Sequence, residues 1–452
     1  MSRRPNLLFV FSDQHRKCSL GCYGDHRVQT PNLDRLAADG IRFDHCISNS
    51  PLCVPMRGSL LTGRYAWNHG ALTNDLPIRT DISGVGDWLE GAGYHTGYIG
   101  KWHLGGIPRD KAIPVGERLG FSEWKVAECN HLYDRGYYFD EENRRHEMTR
   151  FQSVEETDLA LDFIRRNSGR EVPWALFLSW SPPHEPFDAV PPEFLELYEP
   201  ATLELRANVP SEISDAARRW LQGYYGLITL LDRQFGRLRE TVERLGIADD
   251  TLIVYTSDHG DLLGSHGFRD KQLPHEEAIA VPLLAAWPGH WGSGSVCDAL
   301  IGLVDLPVTL AALLGIEYPE CDGRNLAEVF RNPAAQVTGS RLIYDLIPCH
   351  QAEDRGGCEW IGLRTGRYTF ARDGEGKTTV LFDNFADPCQ LRNLAGMPEA
   401  AALERRLHRE LDRELSAAGY RFRPWRRMVR EDGYVADWNA SQRYFKREEL
   451  KS

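Results

Sequence analysis

The chain has 452 residues, with 53 Lys and Arg against 65 Asp and Glu, which gives a formal net charge of −12 at pH 7. At about 150 residues per domain, this length accommodates one large core and a second domain. The 42% hydrophobic content excludes disorder, collagen-like repeats and a small disulfide scaffold. The acidic balance excludes a general nucleic-acid binder, because phosphate neutralisation needs a clustered basic surface. A local pocket can still bind a small anion.

The apolar segments are too short for a membrane protein. None approaches the about 18 residues that a span requires, so we expect no membrane partner. Residues 7–11 are also too short for the core of a signal peptide, and they predict a first buried strand. The ten cysteines are scattered without a C-x-x-C pair, which is typical of reduced thiols. We therefore expect a cytoplasmic protein.

Four apolar, β-rich runs organise the first three hundred residues, and polar side chains follow each of them. Runs such as LLFVF and WALFLSW predict strands buried on both faces of a sheet. These strands are predicted over residues 6–12, 96–100, 174–180 and 251–257. Helices are predicted between them, over residues 31–40, 82–93 and 214–245. This alternation predicts a mostly parallel α/β sheet, with a ligand crevice beyond the carboxyl ends of its strands.

The pattern changes after residue 340, which predicts a large α/β domain over residues 1–340 and a smaller domain over residues 341–452. A helix near residues 398–418 would cover a small antiparallel sheet. Its strands are predicted at residues 341–346, 359–364, 368–372 and 379–382. The aromatic and basic tail after Tyr420 is interrupted by acidic residues, so it predicts a packed extension or a homo-oligomer contact rather than a nucleic-acid tail.

Two strand ends carry a candidate metal site. Asp13 and Gln14 follow the first predicted strand, and Asp258 and His259 follow the fourth. The oxygen ligands favour Ca²⁺, Mg²⁺ or Mn²⁺, whereas the imidazole shifts the preference towards a transition metal. Each aspartate taken alone is more typical of a turn cap.

One cysteine is better placed for reactivity than the other nine. Cys53 precedes a predicted helix in the segment CVPMRGSLLTGR, with Pro55 near the first turn and Arg57 one turn further. A helix N-terminus favours negative charge and lowers the pKa of a thiol. The alternative is a buried structural cysteine, and the spacing alone does not decide between the two.

This segment resembles the C-x-P-x-R signature of type I sulfatases, in the alkaline phosphatase-like superfamily, whose cysteine is converted to formylglycine by a formylglycine-generating enzyme. The other blocks that resemble the family follow in its order: PNLLFVFSDQ, GCYGDHRVQTPNLDRLAADGIRF, GYHTGYIGKWHLG, SPPHEPF, TSDHGDLLGSHG, VPLL and LFDNFADPCQLRNLA. The resemblance extends from residue 5 to about 394. It implies a large sheet between helices, followed by a smaller antiparallel sheet with a helix.

The resemblance also implies a metal centre. Asp13, Gln14, Asp258 and His259 match the family's ligands, and the hydrated formylglycine from Cys53 completes the set. Most members have a second Asp in place of Gln14, and many have Asn in place of His259, so the ligand charge is lower here. Ca²⁺ is our first expectation and Mn²⁺ the second.

The same resemblance implies the chemical roles of five further residues. One hydroxyl of the aldehyde hydrate attacks the sulfur of a sulfate ester, and the second allows the sulfate to be expelled. Arg57 would hold the hydrate, Lys101 would bind a sulfate oxygen, and His103 would act as the base. His184 and Lys271 match groups that bind the sulfate and assist the leaving oxygen.

Six more residues lie in loops near the predicted crevice, where substrate contact and loop packing are equally open. They are Asn74, His131, Tyr133, Trp180, Arg269 and His275.

The leading prediction is hydrolysis of a small sulfate monoester, which could be a sulfated sugar, an aryl sulfate or a choline-type alkyl sulfate. The alternative is a phosphonate monoester or phosphodiester hydrolase of the same superfamily, which Lys101 and His103 disfavour because those enzymes lack this pair. A third interpretation is a noncatalytic binding homologue in which Cys53 stays a thiol.

Overall fold

The large sheet of the protein is mixed but mostly parallel. The computed structural model describes residues 4–349, 352 and 357–450. Its ten-stranded sheet comprises β1 (Asn6–Asp13), β2 (Ile41–Ile47), β3 (His95–Lys101), β4 (Glu123–Ala127), β5 (Tyr137–Phe139), β6 (Arg145–Glu147), β7 (Trp174–Pro183), β8 (Thr251–Ser257), β9 (Leu283–Ala286) and β10 (Ser295–Gly302). The predicted α/β fold class, with a second and smaller antiparallel sheet, is confirmed.

The strand β1 lies at the centre of this sheet, whose order is β10-β2-β9-β8-β1-β7-β3-β4-β5-β6. It pairs in parallel with β7 and β8, and β3 continues the parallel set beyond β7. Every residue of β1, β7 and β8 is buried, as their continuous apolar runs predict. The strand β9 runs antiparallel to both of its neighbours.

Helices cover both faces of the sheet. They are α1 (Pro31–Asp39), α2 (Cys53–Thr62), α3 (Ala66–His69), α4 (Val85–Gly91), α5 (Gln152–Asn167), α6 (Pro192–Leu195), α7 (Ser214–Arg244), α8 (Glu276–Ile279), α9 (Leu306–Leu314), α10 (Ala327–Arg331), α11 (Ala401–Ala417), α12 (Trp425–Glu431) and α13 (Val435–Tyr444). Side chains of β1 alternate between the two layers. Phe9 and Phe11 pack in the core that includes residues of α2, α4 and α9, whereas Leu8 and Val10 pack with α1, α5 and α7.

The helix predicted over residues 82–93 is shorter than expected. It begins at Val85, because the Asp87 carboxylate accepts a hydrogen bond of 2.8 Å from the backbone N–H of Gly84 and fixes the first turn there. It ends at Gly91, just before Gly93 adopts φ 83°. The other two predicted helices begin at the expected residues, Pro31 and Ser214, and each ends one residue early.

The C-terminal part forms the second sheet. Its strands β11 (Arg341–Asp345), β12 (Trp360–Arg364), β13 (Tyr368–Asp373) and β14 (Thr378–Asp383) pair antiparallel in sequence order. The helix α11 packs against this sheet through Leu407, Leu411 and Leu415. The same core includes Tyr65 and Val304 from the large part of the chain, so the division at residue 340 into two domains stays a prediction.

The tail after Tyr420 is helical, although its sequence shows no clear periodicity. Trp425 of α12 and Trp438 of α13 lie in the core of the small sheet, with ring centroids 4.8 Å apart. The tail is therefore a packed extension of the fold, and a role in a homo-oligomer stays a prediction. Among the helices in the described ranges, none is both long and apolar enough to cross a bilayer.

Candidate active site

Ten predicted site residues lie at one edge of the large sheet. The parallel strands β1, β3, β7 and β8 end there, opposite the first turn of α2. The residues that the structure brings together are Asp13, Gln14, Cys53, Arg57, Lys101, His103, His184, Asp258, His259 and Lys271. Their chemical roles remain predictions.

Asp13 is an ionised carboxylate surrounded by cations. Its Oδ2 accepts hydrogen bonds from Lys101 Nζ at 2.6 Å and from Arg57 Nη2 at 3.0 Å. Burial alone would raise the pKa of Asp13, but the cations Lys101, Arg57 and Lys271 outweigh burial and hold it well below its usual range. The carboxylate is fully buried, so these contacts are weakly screened by water.

Asp258 and His259 each have one atom that could bind a metal ion. Asp258 Oδ1 accepts the backbone N–H groups of Gln14 at 3.0 Å and of His259 at 2.9 Å. Its Oδ2 lies 3.0 Å from Arg57 Nε without an aligned hydrogen bond, and no other described residue donates to it. His259 Nδ1 lies 3.0 Å from the carbonyl oxygen of Gly260, so we assign the proton to Nδ1 and a lone pair to Nε2.

These residues fit a divalent cation. The ligand atoms of Asp13, Cys53, Asp258 and His259 all lie within 4.8 Å of one another. A buried carboxylate oxygen without a donor and an imidazole lone pair are the groups that a metal ion satisfies. Gln14 lies next to the cluster, because its Oε1 accepts a hydrogen bond from Lys271 Nζ. Two carboxylates, an amide oxygen and an imidazole are suitable ligands for a divalent cation.

Cys53 lies among charged groups, not in an apolar core. It is the first residue of α2, and its Sγ is 3.2 Å from His259 Nε2, 3.4 Å from Lys271 Nζ and 3.7 Å from Asp13 Oδ1. Burial and Asp13 oppose ionisation of the thiol, but the cations Lys271 and Lys101 act in the opposite direction, and the pKa of the thiol is lowered. Such surroundings are typical of a reactive cysteine and not of an inert structural one.

Arg57 connects three of the strand ends. It lies one turn after Cys53 on α2, so both side chains project from the same face of the helix. Its Nη1 donates to the Lys101 carbonyl at 3.0 Å and to Ser179 Oγ at 2.7 Å, while Nη2 donates to Asp13. Because the guanidinium is fully buried, it fixes the ends of β1, β3 and β7 relative to α2.

His103 and His184 are both neutral bases at pH 7. Burial, followed by Lys101 and Arg109, lowers the pKa of His103 well below its usual value. Neither ring nitrogen of His103 has a partner in the described ranges, although the side chain is buried. Burial, followed by Lys271 and His131, similarly lowers the pKa of His184, whose Nδ1 lies 2.8 Å from the Glu185 carbonyl. A buried base without partners is free to accept a proton from a ligand.

The six loop residues fall into two groups. Asn74 Oδ1 accepts the Val54 N–H at 3.2 Å, Tyr133 donates to the His184 carbonyl at 2.6 Å, and the His131 ring lies 4.1 Å from that of His184. These three contact the candidate site or its helix. The other three pack around it: Trp180 is buried in β7, Arg269 pairs with Glu185 and lies over Trp220, and His275 packs against His266 and Phe382.

Sequence reasoning missed Ser179 and the ion pair of Asp75 with Arg109. Ser179 interrupts the apolar run WALFLSW, and this polar residue at the end of a buried strand is a signal that could have identified it. Arg109 Nε and Nη2 donate to Asp75 at 2.7 and 2.9 Å, in loops that carry no comparable signal.

Comparisons with known proteins agree with this geometry. Residues 5–316 match the family described as Sulfatase, and residues 264–417 match that described as N-sulphoglucosamine sulphohydrolase, C-terminal. An ulvan-active sulfatase of Formosa agariphila is 33% identical over 440 residues, which cover 96% of this chain and 85% of that protein. The chain therefore belongs to the sulfatase family. It is a sulfuric ester hydrolase, as the sequence predicts.

Solved structures show the same fold. The crystal structure of a putative sulfatase of Bacteroides fragilis superposes with a TM-score of 0.87 at 28% identity, covering 93% of this chain and 97% of that one. A phosphonate monoester hydrolase of Silicibacter pomeroyi superposes with a TM-score of 0.77 at 26% identity, covering 92% and 96%. The fold alone therefore does not separate the leading prediction from its alternative.

Proposed function

We propose that the protein hydrolyses a small sulfate monoester to an alcohol and inorganic sulfate, with formylglycine formed from Cys53 as the nucleophile. The observation that supports this most directly is the position of Cys53 Sγ, within 3.7 Å of His259, Lys271 and Asp13. A side chain at this point touches the candidate metal ligands on one side and an ammonium group on the other. Conversion by a formylglycine-generating enzyme is part of the proposal.

A divalent cation would be held by Asp13, Gln14, Asp258 and His259, together with the side chain at position 53. When bound, such a cation supplies Lewis-acid chemistry, which acidifies a hydroxyl and polarises ester oxygens. The oxygen-rich donor set supports Ca²⁺ first, and the imidazole of His259 makes Mn²⁺ the second choice.

Formylglycine is proposed because turnover needs two hydroxyls on one carbon. In the hydrated aldehyde, one hydroxyl can attack sulfur and the other can lose its proton as the sulfate leaves. An unmodified serine or cysteine could accept the sulfuryl group but has no second hydroxyl to expel it. Asn74 and Arg57 hold the first turn of α2, so the nucleophile keeps a fixed position at the strand ends.

The cations around position 53 complement the charge of a sulfate group. Lys101 and Lys271 present ammonium groups next to Asp13 and Cys53, and both are buried. Such fixed charges stabilise the negative charge that develops on transferred oxygens. His103, neutral and without a hydrogen-bond partner in the described ranges, is suited to take the proton that leaves the second hydroxyl.

The test compares two ester classes on protein from a host that forms formylglycine. We expect kcat/KM for 4-nitrophenyl sulfate to exceed that for 4-nitrophenyl phenylphosphonate by at least about tenfold. Cys53→Ala should abolish both activities, whereas Cys358→Ala, at an exposed position, should leave them unchanged. A preference for the phosphonate would overturn the proposed substrate class. Equal activity of Cys53→Ala and wild type would overturn the nucleophile.

A further inference from the structure

An ion pair outside the ten site residues lies beside the first turn of α2. Arg109 donates from Nε and Nη2 to the two carboxylate oxygens of Asp75, at 2.7 and 2.9 Å. The Asp75 side chain is 2% exposed, whereas that of Arg109 is 21% exposed. The carboxylate is therefore buried, whereas the Arg109 side chain is partly open to solvent.

The chain on both sides of this pair leads into the active site. Asp75 directly follows Asn74, which accepts the N–H of Val54 next to Cys53. On the other side, the carbonyl oxygen of Arg109 accepts the backbone N–H of Cys129 at 3.5 Å. The pair thus bridges the start of α2 and the segment after β4.

That segment reaches the candidate sulfate-binding groups. His131 lies two residues after Cys129, and its ring centroid is 4.1 Å from that of His184. Arg109 also contributes to the low pKa of His103, after burial and Lys101, and to that of His131, after burial, Lys101 and Lys271. The positive charge of Arg109 therefore affects side chains inside the site.

The guanidinium is held in one orientation. The carboxylate of Asp75 occupies one edge, and the ring of Phe445, just after α13, lies against one face with its centroid 5.0 Å from Arg109 Cζ. Nη1 makes no hydrogen bond to another residue in the described part of the chain. A fixed guanidinium edge with unused N–H groups matches two oxygens of a carboxylate or sulfate.

We propose that Arg109 binds a second anionic group of the substrate, a carboxylate or another sulfate, next to the ester that is cleaved. This inference rests on the proposed function. A second anionic group needs a cation of its own, because Lys101 and Lys271 already contact Asp13 and Cys53. Asp75 and Phe445 are positioning residues that orient the guanidinium, and Arg109 itself determines specificity.

The test uses matched substrates that differ in one charge. The 3- and 4-carboxyphenyl sulfates are compared with their monoanionic methyl carboxylate esters, and benzene-1,3-disulfate and benzene-1,4-disulfate are compared with phenyl sulfate. We expect Arg109→Gln to lower kcat/KM for at least one dianionic substrate by about 10- to 100-fold, mainly through KM. The change for its monoanionic partner should stay below about threefold. The carboxylate and disulfate arms identify which anion is preferred.

Two variants separate recognition from folding. Arg109→Lys keeps a cation beside Asp75 but lacks the planar fork, so it should retain the melting temperature and lose most of the preference for the second anion. Arg426→Gln removes one exposed arginine of the tail and should leave the ratio of kcat/KM values unchanged in every substrate pair. Equal losses on the dianionic and monoanionic substrates, or no loss in any pair, would overturn the inference. If the wild type hydrolyses the monoanionic esters, such a failure leaves the proposed function intact. If it hydrolyses none of the esters, the proposed function itself is wrong.

Discussion

The chemistry of Cys53 depends on residues that are far away in the sequence. Its position before a helix could be predicted from CVPMR alone, since a helix N-terminus is a local feature. Lys271, which contacts its sulfur, is 218 residues away, and His259 is 206 residues away. Only the family resemblance, not periodicity or composition, could place these groups together. The lack of an aligned hydrogen bond at Asp258 Oδ2 is likewise a property of the folded chain.

Asp258 provides a direct test of the metal site. Asp258→Asn removes one carboxylate charge from the cluster while keeping the size of the side chain, so Ca²⁺ should bind at least about tenfold more weakly. Isothermal titration calorimetry measures this with the wild type as reference. The matched control is Asp81→Asn, at an exposed carboxylate, which should bind Ca²⁺ as the wild type does. Unchanged affinity in Asp258→Asn would remove this residue from the proposed ligand set.

Glu156 gives the fold a dependence on pH. It is buried on α5, its Oε1 accepts from Gln152 Nε2 at 2.8 Å, and burial raises its pKa to about 8. Between pH 5 and 8 the folded state therefore holds a proton that the unfolded state has released. The contribution of Glu156 to the free energy of unfolding is therefore fully present in acid. It decreases by about 1.4 kcal/mol per pH unit as the pH rises.

Glu156→Gln should remove this dependence. The free energy of unfolding of the variant, minus that of the wild type, should increase by about 1.4 kcal/mol per pH unit between about pH 5 and 7.5. Urea denaturation at three pH values measures the difference, and Glu448→Gln, at an exposed position, is the control. A difference that does not change with pH would show that Glu156 is ionised in the folded protein.

At the scale of elements, the close approach of β3 to β7 just before Lys101 requires a glycine. Gly100 has φ 105°, and a Cβ there would lie 2.0 Å from the carbonyl oxygen of Ser179 on β7. We expect Gly100→Ala to destabilise the fold by at least about 2 kcal/mol and to reduce turnover. Gly91→Ala, in α4 with open space at its Cβ, should be neutral or stabilising by up to about 1 kcal/mol. Equal effects of the two variants on denaturation midpoints would contradict this role.

The elements that could be predicted are those with a strong local signal. The strands β1, β7 and β8 have continuous apolar runs because the sheet buries both of their faces. The strand β2 was missed because the alternation of apolar and polar residues in IRFDHCI breaks at His45, after only four residues. The strand β9 has only four residues, which is too short for a periodic signal.

At the scale of the whole molecule, the C-terminal tail is part of the core. Trp438 is 4% exposed and packs against Trp425, so Trp438→Ala should destabilise the protein by about 3–5 kcal/mol. Phe385→Ala is the control, because Phe385 is 84% exposed and its loss should cost less than about 0.5 kcal/mol. Chemical denaturation compares the two. A neutral Trp438→Ala would mean that α13 does not contribute to folding.

The charge of the molecule and the charge of its site have opposite signs. A net charge of −12 gave no indication of an anionic substrate, yet Arg57, Lys101 and Lys271 lie together at the strand ends. Total charge counts residues without regard to position, so a local cationic pocket could not be predicted from it. The expected cytoplasmic location and homo-oligomer stay predictions.

The central claim is that the side chain at position 53 is formylglycine in the active enzyme. Mass spectrometry of the peptide that contains position 53, from protein made in a converting host, tests this claim directly. Replacement of the CH₂SH group by an aldehyde predicts a peptide about 18 Da lighter than the unmodified sequence. The fraction of this peptide should rise in parallel with turnover of 4-nitrophenyl sulfate across preparations. An active preparation in which position 53 is entirely thiol would contradict the account.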